Sequence, residues 1–142
     1  MLSKILVPVD GSENSFRALE HAIFLATKIQ EAKITALYVI EDPPSLYIYS
    51  PKIMEKVRAD YESVYTKILD RCKEMANKNG INIHTVLVEG DPASKIIGYS
   101  EMEKFDIIIM GSRGMGKFKE VIIGSVSNKV LHHAKCSLML LR

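Results

Sequence analysis

Small residues at fixed intervals follow an apolar run near the C-terminal end of this 142-residue chain. Two residues separate Gly111 from Gly114, and nine residues separate Gly114 from the sequence Gly-Ser-Val-Ser at 124–127. Glycines let backbone amides approach a ligand closely, and amides at a helix N-terminus attract anions. The hydroxyls of Ser125 and Ser127 can add hydrogen bonds. The pattern therefore predicts a phosphate-binding site.

The same segment nearly matches a Walker A loop. Residues 111–117 have the required glycines and Lys117, but Phe118 occupies the position where Ser or Thr would bind Mg²⁺. Only one strand is predicted downstream, which leaves little chain for the rest of a P-loop enzyme. A P-loop enzyme is therefore a disfavoured alternative.

Other reactive residue types have no catalytic or metal-binding spacing. The neighbours His132 and His133 would point about 100° apart on a helix and cannot share a metal. Cys72 and Cys136 belong to no CxxC motif, so we expect two reduced thiols in a cytoplasmic protein. The sequence also lacks GxSxG, HExxH and paired-carboxylate signatures.

Composition predicts one soluble domain over residues 1–142. The chain is 47% hydrophobic and 25% charged, and its formal net charge is +2. A chain of this length buries roughly two-thirds of its unfolded surface on folding. The charges are mixed along the chain and the apolar runs are short, so we expect neither a nucleic-acid partner nor a membrane partner.

Strand-like and helix-like patterns alternate along the whole chain. Helices are predicted to begin at Ser12, at Ser50-Pro51, at Asp91-Pro92 and near Val126. The predicted strands are Ile5 to Val9, Ile34 to Ile40, Asn82 to Val88, Asp106 to Met110 and Ser137 to Leu141. This alternation predicts an α/β fold, a doubly wound five-stranded parallel sheet with helices on both faces and strand order 3-2-1-4-5.

Apolar stripes predict which helix positions face the core. In the fourth helix, Val130 and Leu131 are both predicted to point inward. The first helix is predicted to bury Phe16, Leu19, Ile23 and Ala26, and the second to bury Val57, Tyr61, Val64, Ile68, Cys72 and Met75. Between the second strand and the second helix, residues 41–50 are predicted to form a loop over one end of the sheet.

The ligand is expected at the carboxyl ends of the first and fourth strands, where the winding order reverses. Asp10 could accept hydrogen bonds from ribose hydroxyls or a metal-bound water, and backbone groups of Val39 could bind an adenine edge. Arg113 and Lys117 are candidate phosphate ligands. Plainer alternatives stay open: the glycines are ordinary turn residues, Ser125 caps a helix, and the two cations are solvated loop charges.

The chain resembles the universal stress protein family over essentially its full length. The resemblance is carried by residues 5–12 (ILVPVDGS), 37–40 (LYVI), 106–114 (DIIIMGSRG) and 124–127 (GSVS). ATP-binding members of that family have a motif in which two residues separate two glycines, and nine residues separate the second glycine from a Gly-Ser or Gly-Thr pair. The resemblance therefore implies the nucleotide-binding branch, with ATP as ligand and Mg²⁺ or Mn²⁺ held by its phosphates.

The resemblance also assigns roles to individual residues. Pro8, Val9 and Asp10 would line the adenosine end, and Val39 the adenine. Ribose and phosphates would be bound by Gly111, Arg113 and Gly114, and the triphosphate by Gly124, Ser125, Val126 and Ser127. Met110 is a further expected nucleotide-binding residue. The family implies a homodimer through the last strand, which agrees with an apolar sheet edge at Ser137 to Leu141.

The leading hypothesis is an ATP-binding regulator of a still unidentified client protein, with at most slow hydrolysis or autophosphorylation. No catalytic base or nucleophile is evident in the sequence. Two alternatives stay open: an ATP-using enzyme with adenylation-type chemistry, and an interaction module that binds AMP or cyclic AMP.

Overall fold

A five-stranded parallel sheet organises the computed structural model, which describes residues 2–41, 50–115 and 123–142. Its strands are β1 (Lys4–Pro8), β2 (Lys33–Ile40), β3 (Ile83–Glu89), β4 (Ile107–Gly111) and β5 (Ser137–Leu141). The observed order β3-β2-β1-β4-β5 confirms the predicted topology. Each strand boundary lies within one residue of the prediction.

Four helices connect the strands in the described residues: α1 (Glu13–Lys28), α2 (Pro51–Asn77), α3 (Pro92–Met102) and α4 (Ser125–His133). The first three have side-chain N-caps, in which Ser12, Ser50 and Asp91 accept hydrogen bonds from backbone amides of the first turn. Such caps satisfy amides that have no partner inside the helix. α4 lacks this device, because its N-cap is Gly124.

The helices cover both faces of the sheet, as predicted. On one face α1 and the C-terminal half of α2 pack over strand residues such as Ile5, Val7 and Ile109. On the other face α3 and α4 pack over Leu6 and Ile108. Alternate residues of each central strand therefore enter different cores, which explains why β1 and β4 are almost continuously apolar.

Three residues that were predicted to be buried are exposed. In α2, Tyr61 is 37% exposed and Val64 is 51% exposed. The helix has 27 residues and is about 40 Å long, whereas an eight-residue strand spans about 26 Å, so its N-terminal half extends past the sheet. In α4, Leu131 is 47% exposed, because it lies about 100° around the helix from the fully buried Val130.

In the described residues, none of the helices has the length and apolar character needed to cross a membrane. Most of the predicted loop 41–50 lies outside the described residues, which resume at Ser50. Gly116, Lys117 and Phe118 of the near-Walker segment also lie outside them.

The carboxylate of Asp106 ties the N-terminal segment to β4 and makes folding pH-dependent. Its Oδ2 accepts hydrogen bonds from the amide of Lys4, and from the amide and hydroxyl of Ser3. These bonds, the amide of Lys4 foremost, lower the pKa of Asp106 below its ordinary value of 3.8. A lowered pKa stabilises the folded state above the unfolded pKa, and this stabilisation is lost as pH falls through the folded pKa.

We therefore expect Asp106→Asn to lower the urea midpoint at pH 7 and to have a progressively smaller effect below about pH 4. Urea unfolding of both proteins between pH 2.5 and pH 7 measures this, with pH steps of about half a unit. A constant difference over the whole range would contradict the assignment. Asp91→Asn is the comparison variant, because the pKa of Asp91 is also lowered, chiefly by its bond to the Ser94 amide. Its effect on the urea midpoint should therefore shrink at low pH in the same way.

Candidate functional site

A cavity of about 970 Å³ opens at the carboxyl ends of the strands, between β1 and β4. Lys117 lies outside the described residues, and the other twelve site residues predicted from the sequence all line the cavity. They are Pro8, Val9, Asp10, Val39, Met110, Gly111, Arg113, Gly114, Gly124, Ser125, Val126 and Ser127. The structure therefore brings together residues from both ends of the chain at the predicted switch point.

The cavity exists because the sheet splits at this point. β1 and β4 are paired only at Ile5 with Ile107 and Leu6 with Ile108. Beyond that, the chain after β1 stays with β2, since the Val9 amide donates to the Leu37 carbonyl at 2.9 Å. The chain after β4 stays with β5, since the Ser112 amide donates to the Leu141 carbonyl at 2.6 Å. The two central strands therefore diverge and leave a crevice.

The N-terminus of α4 forms one wall of this crevice. The Gly124 amide donates to the Ser112 carbonyl at 2.6 Å, which fixes the start of the helix beside the end of β4. The first intrahelical bond is from the Asn128 amide to the Gly124 carbonyl. The three amides at 125–127 precede it and have no capping side chain, so they can donate to an anion, with the positive end of the helix dipole behind them.

Two expectations for the serines need correction. Ser125 is not the N-cap of α4, because Gly124 occupies that position and Ser125 is the first helical residue. Ser127 does not direct its hydroxyl proton at the cavity. Its Oγ donates to the Gly111 carbonyl at 2.8 Å and is buried, so this hydroxyl holds α4 against β4. Its backbone amide remains part of the helix N-terminus.

The three motif glycines differ in what a side chain would meet at their positions. A Cβ on Gly111 would lie 2.8 Å from Cβ of Asn14, so this glycine lets α1 approach β4. A Cβ on Gly114 would overlap Oδ2 of Asp10. A Cβ on Gly124 would meet described atoms only at 3.4 Å or more, which is ordinary contact. Packing therefore explains Gly111. At Gly114 the overlap is with the end of a flexible, exposed side chain, and at Gly124 packing leaves room for a Cβ.

Asp10 is held at the mouth of the crevice by its own turn. Its Oδ1 accepts from the Ser12 amide at 2.9 Å, while Oδ2 lies on the side of Gly114. The residue is exposed, so the carboxylate can accept hydrogen bonds from a ligand. Arg113 lines the opposite side of the crevice, and Asn14 Nδ2 donates to its carbonyl at 3.4 Å.

Sequence reasoning missed an aromatic wall of the cavity. Tyr38 and Tyr61 line it, and the ring centroid of Tyr38 is 6.1 Å from that of Tyr65. Burial raises the pKa of the Tyr38 hydroxyl, with smaller contributions from Asp10 and Tyr61, so it stays protonated at neutral pH. The sequence did contain a signal for this wall. Side chains alternate along a strand, so Tyr38 must face the opposite side of the sheet from its neighbour Val39, at the same end of β2.

Within the described residues, the site offers no metal cluster and no activated thiol. Groups of three or more His, Cys, Asp or Glu suited to a metal ion do not occur there. Burial raises the pKa of Cys72 to about 11, although Arg71 opposes this, so the thiol is a poor nucleophile at neutral pH. His132 and His133 each contact the carbonyl four residues earlier through Nδ1, at the far end of α4 from the cavity.

Solved structures share this fold. Universal stress protein UspA from Lactobacillus plantarum matches with a TM-score of 0.86 at 25% identity, covering 99% of this chain and 98% of that one. A universal stress protein in complex with cAMP has a TM-score of 0.72 at 21% identity, with 99% and 97% covered. An Arabidopsis thaliana family protein with AMP bound has a TM-score of 0.64 at 20% identity, with 98% and 90% covered. The last two identities establish the fold alone.

Similarity in sequence extends over the complete chain. Universal stress protein YxiE from Bacillus subtilis is 34% identical over 149 residues, with 100% of each chain covered. Universal stress protein MJ0531 from Methanocaldococcus jannaschii is 31% identical over 142 residues, covering 100% of this chain and 83% of that one. The family model described as Universal stress protein family matches residues 1–142. The chain belongs to the universal stress protein family.

Proposed function

We propose that this protein binds an adenine nucleotide in the crevice between β1 and β4, with ATP preferred over AMP and cyclic AMP. It then acts as a nucleotide-dependent regulator of a client protein, with at most slow hydrolysis or autophosphorylation. The observation that carries the proposal is the uncapped N-terminus of α4 at one end of a cavity that apolar and aromatic side chains also line. A nucleotide has the matching halves, an anion and a planar base.

Each part of the nucleotide has complementary groups in the cavity. The amides at 125–127 suit the phosphates, and Arg113 suits phosphate oxygens. Asp10 suits ribose hydroxyls, since its exposed carboxylate accepts hydrogen bonds. Val39 and Met110 are apolar surfaces on either side of the crevice and suit the base. A Mg²⁺ or Mn²⁺ ion would be bound chiefly by the phosphates of ATP.

A regulatory role is favoured over efficient catalysis by the protonation and bonding of the cavity groups. The pKa of Tyr38 is raised, which disfavours a tyrosinate base. The hydroxyl of Ser127 already donates to a carbonyl, which leaves Ser125 as the more accessible phosphoryl acceptor of the two. Asp10 accepts from its own turn. These features support slow turnover at most.

An interaction module specific for AMP or cyclic AMP is the second candidate. The complexes of two proteins of the same fold with cAMP and AMP favour it. The two candidates differ in how many phosphates the α4 amides hold. A ligand series therefore separates them.

Thermal unfolding with Mg-ATP, ADP, AMP, cyclic AMP and GTP tests the proposal. A ligand at about one hundred times its dissociation constant adds roughly 2.7 kcal/mol to the free energy of unfolding. For a domain of this size the melting temperature should rise by about 5–10 °C. The largest shift is expected with Mg-ATP. The absence of a shift with every adenine nucleotide would contradict the proposal, and rapid multiple turnover of ATP by the isolated protein would contradict the regulatory role.

We also propose that two copies pair through β5. This strand lies at the edge of the sheet, and Leu138, Met139, Leu140 and Leu141 on it are only partly buried. An apolar edge with free backbone groups favours pairing with another strand. Light scattering on the purified protein measures the mass, and a monomer at micromolar concentration would contradict the pairing.

A further inference from the structure

A second cleft lies at the opposite end of the sheet from the nucleotide cavity. It has a volume of about 350 Å³ and opens on the face covered by α3 and α4. α3 has only 11 residues and ends at Met102, so it leaves the amino ends of β1, β2 and β3 accessible on this face. The side chains that line the cleft and carry the argument are Lys4, Lys33, Thr35, His84, Tyr99 and Glu103.

The cleft concentrates cationic groups. Lys4 and Lys33 are register partners on the neighbouring strands β1 and β2, so their side chains leave the same face of the sheet side by side. His84 is the register partner of Thr35 and lies one strand further out. Like charges at paired strand positions destabilise a sheet. In the described part of the chain neither lysine forms an ion pair, although Glu103 lines the same cleft.

Several donors of the cleft are held in place before any ligand arrives. Nζ of Lys4 donates to the Glu103 carbonyl and lies 5.1 Å from the centroid of the Phe105 ring. The ring of Tyr99 packs against the same Phe105, with centroids 5.7 Å apart. Thr35 is only 7% exposed. Donors that are already ordered lose little conformational entropy when they bind a ligand.

We propose that this cleft binds a small phosphate dianion, either inorganic phosphate or the phosphate group of a small monoester. Two ammonium groups, an imidazole and the hydroxyls of Thr35 and Tyr99 are all donors, and a phosphate supplies the acceptors and the negative charge. Strands of five to eight residues separate this cleft from the nucleotide cavity by about 15–25 Å. The two sites can therefore be occupied independently.

The test follows phosphate binding by NMR on the ¹⁵N-labelled full chain at constant ionic strength. Inorganic phosphate should shift the His84 ring signals and the Thr35 amide saturably, with half-saturation near 1 mM, a weak but specific affinity. Signals of the amides at 125–127 report separately on phosphate in the nucleotide cavity. Glycerol phosphate, added in a second titration, distinguishes a monoester from the free ion as the better ligand.

Lys33→Met should weaken this binding about tenfold, the usual loss when one charged hydrogen bond is removed. Lys33 is exposed at the start of β2, so the fold tolerates the change. Lys73→Met removes the same charge from the exposed side of α2 and should leave the titration unchanged. His84→Gln should also weaken phosphate binding. In this variant the Thr35 amide signal reports the binding, because the His84 ring signals are absent. No saturable shift with either ligand, or equal shifts in the Lys33 and Lys73 variants, would overturn the proposal.

Discussion

Ser125→Asp should abolish the stabilisation by Mg-ATP while leaving the unliganded protein at least as stable as before. The new carboxylate would stand at the first position of α4, where a negative charge interacts favourably with the helix dipole by about 0.3–1 kcal/mol. The same carboxylate would face the bound phosphates. Repulsion between like charges at about 4 Å in partly screened surroundings reaches several kcal/mol, so affinity should fall by at least about a hundredfold.

The control for this prediction is Ser125→Asn, which has nearly the same shape as aspartate but no charge. Titration calorimetry with ATP and thermal unfolding without ligand should be measured on all three proteins. Ser125 is exposed, so neither substitution disturbs the core. Equal affinity of the aspartate and asparagine variants would mean that the phosphates do not lie at the N-terminus of α4.

Gly111→Ala should destabilise the fold itself. The added Cβ would lie 2.8 Å from Cβ of Asn14 and 3.1 Å from the backbone carbonyl oxygen of Arg113. Neither atom is the flexible end of a side chain, so α1 or the loop after β4 must move. Overpacking of this kind costs about 1–3 kcal/mol. The melting temperature should fall by about 2–12 °C.

Gly98→Ala provides a matched control with the opposite sign. Gly98 is exposed inside α3, and a Cβ there would meet nothing within 4 Å. Alanine favours a helix over glycine by about 1 kcal/mol, so this variant should be more stable than the parent protein. Thermal and urea unfolding of both variants measure the difference. A Gly111→Ala protein as stable as Gly98→Ala would show that α1 does not constrain the end of β4.

The strand order and most of the site followed from the sequence because both depend on local signals. Apolar runs that end in Asp10-Gly11 and in Gly111-Ser112 mark two strand ends, and short connections then make those strands neighbours. Ser12, Ser50 and Asp91 marked three helix starts because each side chain caps the helix directly after it. Asp10, Val39 and the residues of the glycine motif therefore came from motif spacing combined with topology, whereas Pro8, Val9 and Met110 came with the family resemblance.

Other features depend on distances that sequence spacing does not contain. The role of Ser127 is set by the Gly111 carbonyl, sixteen residues earlier in the chain, and only the fold brings the two together. Tyr61 belongs to an apolar stripe typical of a core helix. It lines the cavity because α2 is longer than the sheet that it covers. Gly111 and Gly124 look alike in the motif, yet a Cβ would clash with Asn14 at the first position and would make only ordinary contacts at the second.

The crevice between β1 and β4 is also a mechanical seam. Only two residue pairs join these strands, whereas five pairs join β4 to β5. A ligand that contacts Asp10 on one side and α4 on the other would link the two halves of the sheet. On the α4 side, Ser112 connects this link to Leu141 at the end of β5. Nucleotide binding should therefore slow amide exchange in β5. Exchange at the edge of the sheet would then measure whether the central crevice is occupied.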